Sequence, residues 1–170
     1  QDGSSSTPLL VLERALADPE MAKILVCHFN DRDSDNCRSL EKAISELEGV
    51  HALAHAPKVY AGEVDTSIVK LFSQRRMEPT FFFLDPWGYK GLSLSLIQSL
   101  LKDWGTDGVF FFSYNIIRRG INNPRVVTHM EALFSKKRLD SLRQKIKGLP
   151  PFECEKHICT ELNHALKEFG

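Results

Sequence analysis

The chain has 170 residues, 42% of them hydrophobic and 26% charged, with 22 Lys plus Arg against 22 Asp plus Glu. That is enough chain and apolar content for one domain with a substantial core, and it excludes a disordered or membrane-like composition. A formal charge of zero excludes a global pull toward nucleic acid, so any such contact has to come from a local patch, and no apolar run is long enough to span a bilayer.

Ser6-Thr7-Pro8 ahead of Leu9, Leu10, Leu12 and Ala15 predicts a capped helix with Pro8 in its first turn, ending near Asp18-Pro19. Lys23–Phe29 reads as a strand running into the polar cluster Asn30-Asp31-Arg32-Asp33. Leu40, Ile44 and Leu47 at helical spacing predict an amphipathic helix from about 34 to 48, stopped by Gly49. Val59–Asp65 reads as a short strand ending in an acid, and Ile68–Arg75 as a short helix. The aromatic run Phe81–Leu84 reads as a buried strand that Asp85-Pro86-Trp87-Gly88 ends abruptly. Leu92–Trp104 predicts a helix and Gly108–Tyr114 a strand, followed by a polar loop over Asn115–Pro124. Helical patterns cover about 126–146 and 152–168, separated by Gly148-Leu149-Pro150-Pro151.

Strands alternating with helices in this way predict an α/β fold, a mostly parallel Rossmann-like sheet with helices on both faces. The expectation is a single domain over 1–170, with an α/β core over 1–124 and a helical part over 125–170. Four cysteines, Cys27, Cys37, Cys154 and Cys159, do not make a disulfide framework in a chain of this size, which favours a reducing, cytoplasmic setting. Gln1 at the start, and Gly170 directly after a helical pattern, read as cut ends.

Polar residues recur at the strand ends: Asn30-Asp31, Asp65, Asp85 and Ser113-Tyr114-Asn115. In an open α/β sheet these positions share the ligand-binding edge. Each acid has a structural alternative as a helix cap or turn former. Asp31 can hold ribose hydroxyls or cap the next helix, and Asp65 has the same two readings. Asp85 has the sharper functional case: with Pro86 and Trp87 it offers a carboxylate, a stiff turn and a stacking ring to a flat, nitrogen-bearing group. Trp87 has a competing use as a packing residue. Arg118-Arg119 beside the Tyr114-Asn115 strand end can bind phosphates or stay solvated. Cys154-x-x-His157-x-Cys159 is rejected as a zinc site: on a helix 154 and 157 share a face but 159 is displaced from it, and although His164 can be added as the fourth ligand that a structural site needs, the pattern is weak. Asp31, Asp65 and Asp85 as Mg²⁺ ligands of a nucleotide hydrolase are the least favoured alternative, since a sheet edge spreads the three acids apart.

From Phe81-Phe82-Phe83-Leu84-Asp85-Pro86-Trp87-Gly88-Tyr89 to Arg118-Arg119-Gly120-Ile121-Asn122-Asn123, the chain resembles the three-Cys-motif partner proteins, bacterial and phage proteins related to class I S-adenosylmethionine-dependent methyltransferases. Asp2–Leu10 is similar to the family's segment just after its glycine-rich first motif, and Phe29–Asp33 to the end of its second strand. The resemblance covers nearly the whole chain, and the four cysteines are not the motif in the family's name. It implies S-adenosylmethionine as cofactor, Asp31 on its ribose and Asp65 near its adenine amine. Asp85-Pro86-Trp87 would then stand at the fourth methyltransferase motif, and Tyr114, Asn115, Arg118 and Arg119 on the substrate side. A nucleic acid base is the implied acceptor, although one proline stands here where base amino-methyltransferases carry two. The resemblance also implies an internal fragment without the central first strand and the final strand pair, which exposes two strand edges and leaves weak or absent cofactor binding. A non-catalytic module that binds a protein partner from the same locus is the alternative role.

Overall fold

The computed structural model describes residues 6–86 and 88–168. The chain is α/β and more than half helical. It divides into two compact units, one ending at Glu63 and one beginning at Val64.

In the first unit, helices α1 (Thr7–Leu16) and α2 (Pro19–Ile24) precede strand β1 (His28–Asp31), helix α3 (Ser34–Ser45), a 3₁₀ turn (Val50–Ala52) and strand β2 (Lys58–Ala61). The Asp18-Pro19 pair does end α1, but it also starts α2. The Asp18 carboxylate accepts from the backbone N–H groups of Glu20 and Met21, and Pro19 fits the first turn. The expected strand from Lys23 therefore begins only at His28. β1 and β2 pair in parallel, from His28↔Lys58 to Asp31↔Ala61. Leu12, Ala15, Ala22, Cys27, Ile44 and Leu53 form the core of this unit. Cys27 is in that core, and burial raises its thiol pKa.

The second unit runs through α4 (Thr66–Gln74), β3 (Phe81–Leu84), α5 (Leu94–Leu101), β4 (Asp107–Phe110) and α6 (Tyr114–Gly120). A 3₁₀ turn (Pro124–Val126), α7 (Val127–Phe134), α8 (Lys136–Lys145) and α9 (Pro151–Lys167) complete it. β3 and β4 pair in parallel, from Phe81↔Asp107 to Leu84↔Phe110. Among the described residues no ladder joins this pair to the first, so the four strands form two small sheets and not one.

Strand β3 has the predicted bounds but not the predicted burial. Alternation sends Phe82 and Leu84 toward α5, with Phe72 of α4 edge-on to Phe82 at 5.8 Å between ring centres. Phe81, Phe83, Val109 and Phe111 lie on the other face and are 67%, 58%, 52% and 58% exposed. A run that is apolar on both faces matches a doubly covered strand, and here one face has no cover among the described residues.

The larger core is helical. Ile117, Ile121, Met130, Leu133, Phe134, Leu139, Leu142 and Ile158 are fully buried among α6–α9, with Leu84, Phe110 and Phe112 packed against them. The helix predicted over 126–146 breaks at Ser135, whose φ of 65° lies in the left-handed region, and the break separates α7 from α8. Between α8 and α9 sits a buried charge cluster. Arg138 Nη1 donates to Glu161 Oε1 at 2.6 Å, Lys145 Nζ to Glu161 Oε2 at 3.3 Å, and Arg138 also pairs with Glu168.

Burial pushes the Glu161 pKa up, but its hydrogen bonds from Arg138 and Lys145 outweigh that and hold it below the ordinary glutamate value. The stabilisation is therefore fully present above the unfolded pKa of about 4.3 and is lost as pH falls through the lower folded value. Glu161→Ala is expected to destabilise the protein by about 3 kcal/mol at neutral pH, measured by urea denaturation, with variant and parent converging in stability under acid conditions.

Candidate functional site

At the carboxyl end of β1, Asn30 Nδ2 donates to the Gly62 carbonyl at 3.0 Å, and Gly62 N–H donates to the Asp31 carbonyl at 2.9 Å. These bonds lock the two strand ends of the first unit side by side. The Asp31 carboxylate is exposed and accepts from Asp33 N–H at 2.7 Å and from Asn36 Nδ2 at 3.2 Å. Asp33, not Asp31, caps α3, through Asp35 N–H at 2.8 Å. A carboxylate offers about four lone-pair sites, so Asp31 can still accept from the two hydroxyls of a ribose.

One feature of this strand end escaped the sequence reading. Tyr60, the register partner of Asn30, is 47% exposed and stacks on His28 at 5.7 Å between ring centres, with His28 Nδ1 and the Tyr60 hydroxyl 3.2 Å apart. Period-two alternation along 58–61 is the signal that places Tyr60 on the outward face.

Asp65 does what its structural alternative predicts. Its carboxylate caps α4, accepting from Ser67 N–H at 2.9 Å, from the Ser67 hydroxyl at 2.6 Å and from Ile68 N–H at 3.4 Å. The Ser67 hydroxyl first, and then the backbone donors, hold its pKa below the usual carboxylate range.

Asp85 differs from both. It is exposed at the end of β3 and makes no hydrogen bond with a described residue. Pro86 follows, partly buried. Trp87 lies outside the described residues. Gly88 has φ +69°, and a Cβ built there would sit 2.9 Å from Ile116 Cγ2, so only glycine allows the turn to lie this close to α6. Tyr89 packs over Gly120, where an added Cβ would meet its ring at 3.5 Å, and it faces His129 of α7 at 5.5 Å between ring centres. No local sequence pattern marks His129; its pairing with Tyr89 comes from the packing of the turn on α6 and α7.

Tyr114, Asn115, Arg118 and Arg119 belong to helix α6: the strand predicted to run to Tyr114 ends at Phe110, and Asn115, Arg118 and Arg119 are helical where a polar loop was expected. Ile117 and Ile121, four residues apart and both fully buried, bind this helix to the core. The Tyr114 hydroxyl donates to the Pro151 carbonyl at the start of α9. Burial raises the Tyr114 pKa, against the lowering effect of the Arg118 charge. Arg119 Nε donates to the Asn115 carbonyl at 3.2 Å. Arg118 Nε is sealed from solvent and has no acceptor among the described residues.

The second unit thus brings the Asp85 turn and α6 together, with Asp85, Tyr114 and Asn115 following the carboxyl ends of two paired strands. The three acids do not form a metal site: among the described residues no group of three His, Cys, Asp or Glu side chains is placed to hold an ion. Cys154 is buried, its thiol directed at the Ile146 and Leu149 carbonyls, whereas Cys159 is exposed. Also among the described residues, no helix is long and apolar enough to cross a membrane.

What fold and site define together is an α/β chain with parallel strand pairs and polar groups at their carboxyl ends. Comparison with protein-family models, with characterised proteins and with solved structures finds no match.

Three substitutions separate structural from exposed strand-end residues. Gly88→Ala is expected to cost about 1–2 kcal/mol, from the positive φ alone, plus the displacement of Ile116, measured by thermal or urea denaturation. Asp65→Ala is expected to lower stability through loss of the α4 cap, while Asp85→Ala leaves the denaturation midpoint unchanged.

Proposed function

We propose that the chain is a methyltransferase-like α/β domain of the three-Cys-motif partner type, with the strand ends serving a nucleoside cofactor and a nucleic acid base as acceptor. The observation that carries this reading is the Asp85 turn: its exposed carboxylate is not used to cap a helix, and the turn is seated on the helix that bears Arg118 and Arg119. The strand pairing supports it as well. Methyltransferase-like sheets are built from parallel strands, and β1–β2 and β3–β4 are each a parallel pair.

S-adenosylmethionine, when bound, would supply an activated methyl group on sulfur. Asp31 would accept hydrogen bonds from the cofactor ribose hydroxyls. Asp65, near the adenine amine by resemblance, already spends its carboxylate on α4, so cofactor binding rests on Asp31. Asp85 would accept a hydrogen bond from the exocyclic amine of the base and orient its nitrogen for in-line attack, with Pro86 stiffening the turn and the ring of Trp87 stacking on the base. By resemblance, Tyr114, Asn115, Arg118 and Arg119 would stand on the substrate side.

The exposed Phe81, Phe83, Val109 and Phe111 face favours a second role, that of a non-catalytic module that docks on a protein partner. Titration with S-adenosylhomocysteine followed by NMR distinguishes the two. The methyltransferase-like role predicts shifts at Asn30, Asp31 and Gly62, even if binding is weak, with Asp31→Ala binding about tenfold more weakly, the loss of one charge-assisted contact of about 1.5 kcal/mol. An unchanged spectrum at saturating ligand overturns it in favour of the partner module.

A further inference from the structure

We propose that the open face of β3 and β4 docks an amphipathic helix of a partner protein, one whose apolar stripe carries a basic residue at each end. This names the partner for the docking role given above and rests on that role, not on cofactor binding.

The strand register builds the face row by row. Phe81 pairs with Asp107 and Phe83 with Val109, and paired residues share one side of a sheet while neighbours along a strand alternate. The ladder runs one bond further, since Phe111 N–H donates to the Leu84 carbonyl at 2.8 Å. That sets Asp85 beside Phe111. The exposed strip of Phe81, Phe83, Val109 and Phe111 therefore has Asp107 at one corner and Asp85 at the corner diagonally opposite. Both acids are exposed, and neither makes a hydrogen bond or ion pair with a described residue.

Size and charge select the occupant. Phenylalanines of roughly 200 Å² each, a little over half exposed here, give with Val109 an apolar strip of roughly 400 Å², a size at which patches on monomers are often functional. Two strands spaced about 4.8 Å make a strip about as wide as one helix, about 10 Å across. A second copy of the same face is a poor match. With the strands aligned, the two-fold axis runs either along them or across them. In both arrangements each carboxylate comes to lie over Phe81 or Phe111 of the other copy. That takes an unpaired charge out of water, which is strongly unfavourable. A helix with basic ends meets the same two carboxylates with opposite charge at the rim of the contact, where charge selects the partner. Four residues of strand and one strand spacing put the acids about 14 Å apart. At 1.5 Å per residue, the matching cations stand about nine residues apart on the helix, with the apolar stripe between them.

Two synthetic helical peptides test this on the full chain. Both carry leucines at helical spacing; one has a lysine at each end of the stripe, the other a glutamate. Binding is followed by fluorescence anisotropy, and NMR of the Phe81, Phe83 and Phe111 rings locates it. The lysine peptide is expected to bind and to shift those rings, with the glutamate peptide about tenfold weaker at low salt and the difference shrinking as salt is added. Asp107→Asn, which lies away from the Asp85 turn, is expected to keep the parent melting temperature and to weaken the lysine peptide about threefold. Equal binding of both peptides at these rings, or an Asp107→Asn chain that binds the lysine peptide as tightly as the parent, overturns the basic partner and leaves the docking role standing. If neither peptide binds and the chain sediments as a monomer, the docking role falls with it. Self-association that shifts the same rings overturns the helix in favour of a second copy, and flotation with phosphatidylcholine vesicles does so in favour of a lipid surface.

Discussion

A two-stranded sheet cannot hold itself together in water, and this constraint governs both units. Each parallel pair here is stable only through the helices packed on it. In the first unit α1, α2 and α3 supply that cover, around Leu12, Ala15 and Ile44. In the second, the fully buried side chains of α6–α9 form the larger core, and β3–β4 meets it through Leu84, Phe110 and Phe112. The Asp85 turn inherits its rigidity from that helical core and not from the sheet, because Gly88 and Tyr89 seat it on α6 and α7.

The charged residues divide by what the fold asks of them. Asp18, Asp33 and Asp65 satisfy backbone donors at helix starts, and Glu161 neutralises two cations between α8 and α9. Those carboxylates are committed to structure. Asp31 is partly committed, holding the chain as it leaves β1, and it retains accepting capacity. Among the described residues Asp85 makes no hydrogen bond, and Arg118 carries a sealed donor without an acceptor. A protein gains nothing in stability from either arrangement, and Asp85, the one open to solvent, carries functional proposals.

Local patterns were legible where one cause acted. The bounds of β3 follow from an aromatic run closed by Asp-Pro, and α3 and α9 follow from apolar spacing. Asp18-Pro19 was ambiguous because the same dipeptide ends one helix and starts another. The residues of α6 read as a loop because Asn115, Arg118, Arg119 and Gly120 dominate the composition, yet Ile117 and Ile121 carry the helical spacing. The Ser135 break had no signal of its own: a serine at positive φ is held there by the packing of α7 and α8, not by its own preference. At the candidate site, Asp31, Asp85 and Arg118 were visible by residue type and position, while the Tyr60–His28 and Tyr89–His129 pairs arise between segments distant in the chain.

By itself, then, the sequence determined the alternation of strands and helices and the polar residues that close each strand, because propensity, capping and periodicity act over a few neighbouring residues. Only the tertiary structure decided that the strands join as two pairs, that Asp65 is used by its helix while Asp85 is not, and that, among the described residues, nothing covers the Phe81–Phe83 face and no acceptor meets Arg118 Nε. Each of these depends on which distant groups meet, and a hydrogen-bond partner brought from another segment leaves no mark on the residues around it.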